Sequence, residues 1–147
     1  MIDLKIETEK QLVEIFIEKG IIPYEKKETD EIFYLKEYNV KDKSRIKRID
    51  LLLVNKTKNR VDLIEFKNRK LCPNDFFQIA DYYYLFINQF PDLKKRTFCH
   101  LIGRETNSKN LRNLNAIGFK KLKTWFFWEE SNSIEIYYQD ENCALYL

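Results

Sequence analysis

Two runs rich in β-branched and aliphatic residues, Ile46 to Val54 and Arg60 to Lys67, are separated by the polar segment Asn55 to Asn59. Runs of this length read as strands and the polar break reads as a tight turn, so the segment predicts an antiparallel hairpin. With the turn centred between Thr57 and Lys58, the expected cross-strand partners are Asn55 with Arg60, Val54 with Val61, Leu52 with Leu63, and Asp50 with Glu65. Alternation then groups Asp50, Leu52 and Val54 on one face of the first strand, and Val61, Leu63, Glu65 and Lys67 on one face of the second. Two acids come to lie side by side in an otherwise apolar hairpin, where like charges directly opposed are destabilising and burial adds to the cost.

A hard divalent cation such as Mg²⁺, with Mn²⁺ as substitute, resolves that conflict, because it prefers carboxylate oxygens and keeps positions for water and a phosphate. Lys67, two residues beyond Glu65, adds a positive charge able to orient an attacking water or to stabilise charge developing on phosphorus. The competing reading is a salt-bridge network of Asp50 and Glu65 with Lys67 and Arg48.

The flanking sequence supplies helices and further strands. From Thr8 to Lys19, Leu12, Ile15 and Phe16 recur at helical spacing, with Thr8 as cap and Gly20 as stop. Ile32 to Tyr38 reads as a strand, followed by a charged loop through Ser44. Pro73, with Asn74 and Asp75, opens a long helix to about Gln89. Thr97 to Ile102, Leu122 to Trp128 and Ile134 to Tyr138 read as strands. Asn107 to Asn115 reads as a short polar helix and Ala144 to Leu147 as a short strand. This order indicates an α/β or α+β sheet covered by helices. The 147 residues suit one domain spanning 1–147, and a hydrophobic content of 44% can fill one core.

Several classes of chemistry are excluded. His100 is the sole histidine, and Cys72, Cys99 and Cys143 form no CxxC pair, so neither a zinc knuckle nor a disulfide framework is indicated. His100 and the cysteines read as structural. Trp125, Phe126, Phe127 and Trp128 read as a core or subunit-interface strand. No apolar run approaches a membrane span and no secretory leader is visible, so the expectation is a cytoplasmic protein with no membrane contact. The net charge is only +3, but cations concentrate from Lys41 to Arg48, at Lys56, Lys58 and Arg60, at Arg69 and Lys70, and from Lys94 to Lys123, where Glu105 is the one acid. Such a band suits a polyphosphate backbone, or else a solvated lysine-rich surface.

Asp50 followed by Glu65-Phe66-Lys67 at the end of the next strand resembles the D…ExK signature of the PD-(D/E)XK nucleases. Gln78-Ile79-Ala80-Asp81-Tyr82 resembles the QxxxY element of their RecB-like branch, and its spacing puts Gln78 and Tyr82 one turn apart on a helix face. Glu9 matches an acid that many members carry on the first helix, although a helix N-terminus favours an acid there in any case. The motifs span Glu9 to Tyr82, and Ile49 stands where the name motif has proline. The resemblance implies a restriction-endonuclease-like core, a mixed β-sheet with helices on both faces. It further implies metal ligation by Asp50, Glu65, the Phe66 carbonyl and Glu9, with Lys67 assisting the nucleophile. Gln78 and Tyr82 would hold substrate. The basic stretch Arg45 to Arg48 is less typical of the family; its charge, with that of Arg69 and Lys70, marks Arg48, Arg69 and Lys70 as expected contacts to the nucleic acid backbone. The activity implied is Mg²⁺-dependent hydrolysis of DNA by an endonuclease, with a homodimer as one route to selectivity. An inactive protein of the same fold that binds nucleic acid or a protein partner, and an RNA-directed nuclease, are the alternatives.

Overall fold

A computed structural model describes residues 5–104, 121–130 and 133–138. The expected helix Asn107–Asn115, the expected strand Ala144–Leu147 and Cys143 lie outside the described residues. Thr8 caps α1 (Glu9–Glu18) through a reciprocal box: its Oγ1 accepts from the Gln11 N–H, and the Gln11 side chain accepts from the Thr8 N–H. Gly20, at φ +61°, takes the left-handed turn that releases the chain from the helix.

The strands are β1 (Ile32–Lys41), β2 (Ile46–Asn55), β3 (Arg60–Phe66), β4 (Thr97–Arg104), β5 (Leu122–Glu130) and β6 (Ser133–Tyr138). They line up in chain order in a single sheet, antiparallel from β1 to β3, parallel from β3 to β5, and antiparallel again at β6. The crossover that makes β3 and β4 parallel is α2 (Pro73–Gln89), followed by a 3₁₀ turn at Pro91–Arg96. Thus β1 runs three residues past the expected end at Tyr38, and β3 stops one residue short of Lys67.

Helices cover both faces. Leu12, Val13 and Phe16 of α1 pack with Leu51, Leu53, Ile64 and Phe66, while Ile79, Tyr82, Tyr83 and Phe86 of α2 pack with Leu52, Leu63 and Cys99. The hairpin register is the expected one, Asn55↔Arg60, Val54↔Val61 and Leu52↔Leu63. Asn55 fixes the turn: its Oδ1 accepts from the Lys58 N–H at 3.0 Å, and its amide donates to the Tyr24 hydroxyl and the Asp30 carboxylate.

On the α1 side of the sheet, a polar chain is sealed in the core. The Trp125 Nε1–H donates to His100 Nδ1 at 3.0 Å, which leaves the ring proton on Nε2, 2.7 Å from Asp62 Oδ1. His100 is therefore neutral, in keeping with burial, which pushes its pKa down. Asp62 also takes a two-point ion pair from Arg60, both contacts at 3.0 Å, and the guanidinium lies between the rings of Tyr24 and Phe98. Asp62→Ala strands the His100 Nε2–H in the core and leaves the half-buried Arg60 without its carboxylate, and an equilibrium urea melt is expected to show a loss of about 3–5 kcal/mol.

Candidate active site

The β2–β3 ladder closes its last regular pair at Leu51↔Ile64. One step further, side chains replace backbone acceptors. The Asp50 N–H donates to Glu65 Oε1 at 2.8 Å, and the Phe66 N–H donates to Asp50 Oδ2 at 2.9 Å. The two carboxylates thus cross the strand gap towards each other, as the hairpin register predicts. Glu65 is only 4% exposed, and Asp50 is half-buried.

Burial, and then the Asp50 charge, push the Glu65 carboxyl up to about 9. Burial also raises Asp50, opposed by the Phe66 N–H and by Lys67, whose positive charge reaches both acids. Both shifts run in the direction that favours a proton on the pair. Lys67 leaves the sheet at a fixed place: its N–H donates to the Ile102 carbonyl at 2.8 Å, and the Arg104 N–H donates to the Arg69 carbonyl at 3.0 Å. Close packing sets this exit, since a Cβ at Gly103 would collide with the Leu71 side chain.

The remaining expected residues divide into two groups. Tyr82 is buried on α2, and its hydroxyl is pushed up to about 12 by burial and by the charges of Glu65 and Asp50, with Gln78 as its hydrogen-bond partner. Gln78 and Tyr82 therefore belong to the carboxylate neighbourhood. Glu9 is exposed on the first turn of α1, near enough for its charge to raise Asp50. Among the described residues, no three His, Cys, Asp or Glu side chains converge where a metal ion could be held, so Glu9 is not gathered with the other two acids.

Arg48 and Lys70 are exposed, whereas Arg69 is committed to Asp75 through two contacts at 2.8 Å. Sequence reasoning offered Arg69 no partner; an acid at the third position of the following helix is the signal that points to one. Asp75 also accepts from the Cys72 N–H and so ties the loop after Lys67 to the start of α2. Arg45, read from sequence as part of a basic stretch, bridges to Asp81 on α2 at 3.0 Å.

The donor set fits a hard divalent ion. Two carboxylates on adjacent strands, both pushed up, bring together negative charge that a cation can offset, and each already uses one oxygen on a backbone N–H that fixes its orientation.

No family model and no curated protein matches this chain. Among solved structures, a repair endonuclease from Pyrococcus abyssi is similar, with a TM-score of 0.54 at 15% identity, over 84% of this chain and 48% of that one. The chain thus spans about half the length of that endonuclease, and at this identity the likeness concerns the fold. Together with the mixed sheet covered on both faces, it gives the chain a restriction-endonuclease-like α+β fold.

Stability without divalent cations should carry the signature of the raised Glu65 carboxyl. Glu65 titrates at about 9 in the folded chain against an ordinary 4.5, so the folded state holds more protons than the unfolded one across that interval. The stabilisation is complete below pH 4.5 and is lost as pH rises towards 9. Glu65→Gln keeps an oxygen for the Asp50 N–H and removes the titration. In EDTA at alkaline pH this variant is expected to melt several degrees above the wild type, at about 2–4 °C per kcal/mol, and to flatten the pH dependence.

Proposed function

We propose that this chain is a metal-dependent nuclease that hydrolyses phosphodiester bonds, with DNA as its substrate. The observation that carries the reading is the adjacent pair of carboxylates, Glu65 buried and Asp50 half-buried, with the charge of Lys67 acting on both. Asp50, Glu65 and the Phe66 carbonyl would hold Mg²⁺, or Mn²⁺ in its place, with Glu9 reaching it through water. When bound, such an ion supplies positive charge to the phosphate undergoing substitution.

The chain's own groups have separable tasks. Lys67 orients the attacking water or stabilises the additional negative charge on the phosphorus centre. The Tyr82 hydroxyl, kept protonated by its raised pKa and placed by Gln78, donates to a phosphate oxygen or to the attacking water. Arg48 and Lys70, both exposed, meet the backbone on either side, and Arg69 supports that surface through its grip on Asp75.

One observation favours a second reading, a noncatalytic binding protein of the same fold: Glu9 does not join the two acids in a three-carboxylate cluster. Calorimetry separates the two, since uptake of Mg²⁺ or Mn²⁺ that disappears in Asp50→Ala belongs to the nuclease. In a cleavage assay on plasmid DNA and on labelled DNA and RNA oligonucleotides with Mg²⁺, Asp50→Ala and Lys67→Ala are each expected to lose roughly 10²-fold or more. Equal rates in all three proteins would sink the mechanism, and cleavage confined to RNA would move the substrate.

A further inference from the structure

The two edges of β2 have unequal partners. Towards β3 its ladder runs only from Asn55↔Arg60 to Leu51↔Ile64, whereas towards β1 it continues to Asn39↔Arg48 and Lys41↔Ile46. Past the carboxylates, β1 and β2 therefore travel on as a two-stranded ribbon, closed by the Asp42 N–H donating to the Arg45 carbonyl. Its tip reaches roughly 20 Å beyond Asp50 at the usual rise per strand residue.

The ribbon's residues contradict a core role. Every residue from 41 to 48 is exposed, Ile46 to 69%. Val40, by contrast, is buried in the cluster beneath α2, and Arg45 is pinned to Asp81 of that helix. One side of the ribbon is thereby held to the body of the protein. The register places Asn39 with Arg48 and Lys41 with Ile46 on the face opposite Val40, which leaves them to solvent, while Lys47, the cross-strand partner of Val40, is exposed at the border of the held face.

Charge gives this surface its partner. Between residues 39 and 48, Lys41, Lys43, Arg45, Lys47 and Arg48 stand against Asp42 alone, a local +4 where the whole chain sums to +3. Asp42 and Asp81 both go to Arg45, and among the described residues the other four cations make no ion pair. A B-form major groove admits a two-stranded β-ribbon, whereas the major groove of A-form RNA is too narrow for one.

We propose that residues 39–48 form a basic ribbon that seats in the major groove of a DNA duplex and holds it beside Asp50 and Glu65. The choice of partner rests on the nuclease reading; the surface itself rests on the ladder mismatch and the unpaired cations. Arg48, roughly 7 Å along the strand from Asp50, marks where the seated duplex meets the carboxylates.

The test is binding in EDTA, where no cleavage occurs, by fluorescence anisotropy with a short labelled DNA duplex, one of its strands, and the RNA duplex of the same sequence. Two variants of equal charge are compared, Lys41→Gln/Lys43→Gln/Lys47→Gln in the ribbon and Lys10→Gln/Lys19→Gln/Lys26→Gln away from it. All six lysines are exposed, so both variants should melt with the wild type. The wild type is expected to prefer the DNA duplex. The ribbon variant is expected to lose about tenfold or more for it, with the slope of log affinity against log salt reduced by about 2–3, while the control stays within about twofold.

Equal losses in the two variants, no loss in the ribbon variant, no binding of the DNA duplex, or equal binding of single strand or RNA duplex would each overturn the ribbon assignment. Failure of the nuclease reading looks different: cleavage is absent with Mg²⁺ while the ribbon's contribution to duplex binding persists.

Discussion

The end of the β2–β3 ladder is set by two side chains that take over the work of backbone carbonyls. Glu65 accepts the Asp50 N–H, Asp50 accepts the Phe66 N–H, and the regular pairing goes no further. Every other part of the site is placed by that ending. β3 turns away through Lys67 towards α2, and β2 continues with β1 as its only partner. The carboxylates therefore lie where the sheet divides, between the helix that carries Tyr82 and the strand that carries Arg48. An acid elsewhere along either strand would lie inside a regular ladder, where the neighbouring N–H groups already have carbonyl partners.

Much of this was legible from local pattern. The polar turn at Asn55 to Asn59 sets the hairpin register, and that register, extended one step past Leu51↔Ile64, brings Asp50 to Glu65. Thr8 and Gly20 bounded α1, and Pro73 opened α2, because caps and breakers act on their immediate neighbours. What could not be read is non-local or depends on a break in alternation. Strict parity places Ile49 with Leu51, yet Leu51 packs beneath α1 while Ile49 joins Leu52 beneath α2. The change of face coincides with Glu37, which adopts a left-handed φ of +53° between the pairs Lys36↔Leu51 and Tyr38↔Ile49. Nothing in a Lys-Glu-Tyr sequence announces such a twist, since the residues that favour that conformation are glycine and asparagine.

Partnerships across long separations were equally hidden. Asp62 lies in an apolar strand with nothing nearby in sequence, apart from Arg60, to indicate how its charge is met, and His100 is far along the chain. The same holds for Arg45 and Asp81, which fasten the ribbon to α2. Composition showed that cations concentrate between Lys41 and Arg48. Only the unequal ladders on the two edges of β2 turn that concentration into an exposed two-stranded ribbon.

Asp62 and Glu65, three residues apart on β3, supply the strongest argument for an external cation at the proposed site. Both are buried, and alternation sends them to opposite faces of the sheet. Asp62 has Arg60 in a two-point ion pair and the His100 Nε2–H, and despite desolvation these partners hold its pKa below the usual value. Glu65 has a second carboxylate as its near neighbour and Lys67 only as a weaker influence, and its pKa goes up instead. The same strand thus contains one acid whose compensation is built into the fold and another whose pKa rises towards the protonated form for want of it. A proton is the smallest cation that can serve there, and a divalent ion meets the same pair of oxygens with greater charge and with positions to spare for a phosphate. A purely structural pair would be served better by one carboxylate and an amide, which would make the same two N–H contacts without opposing charges.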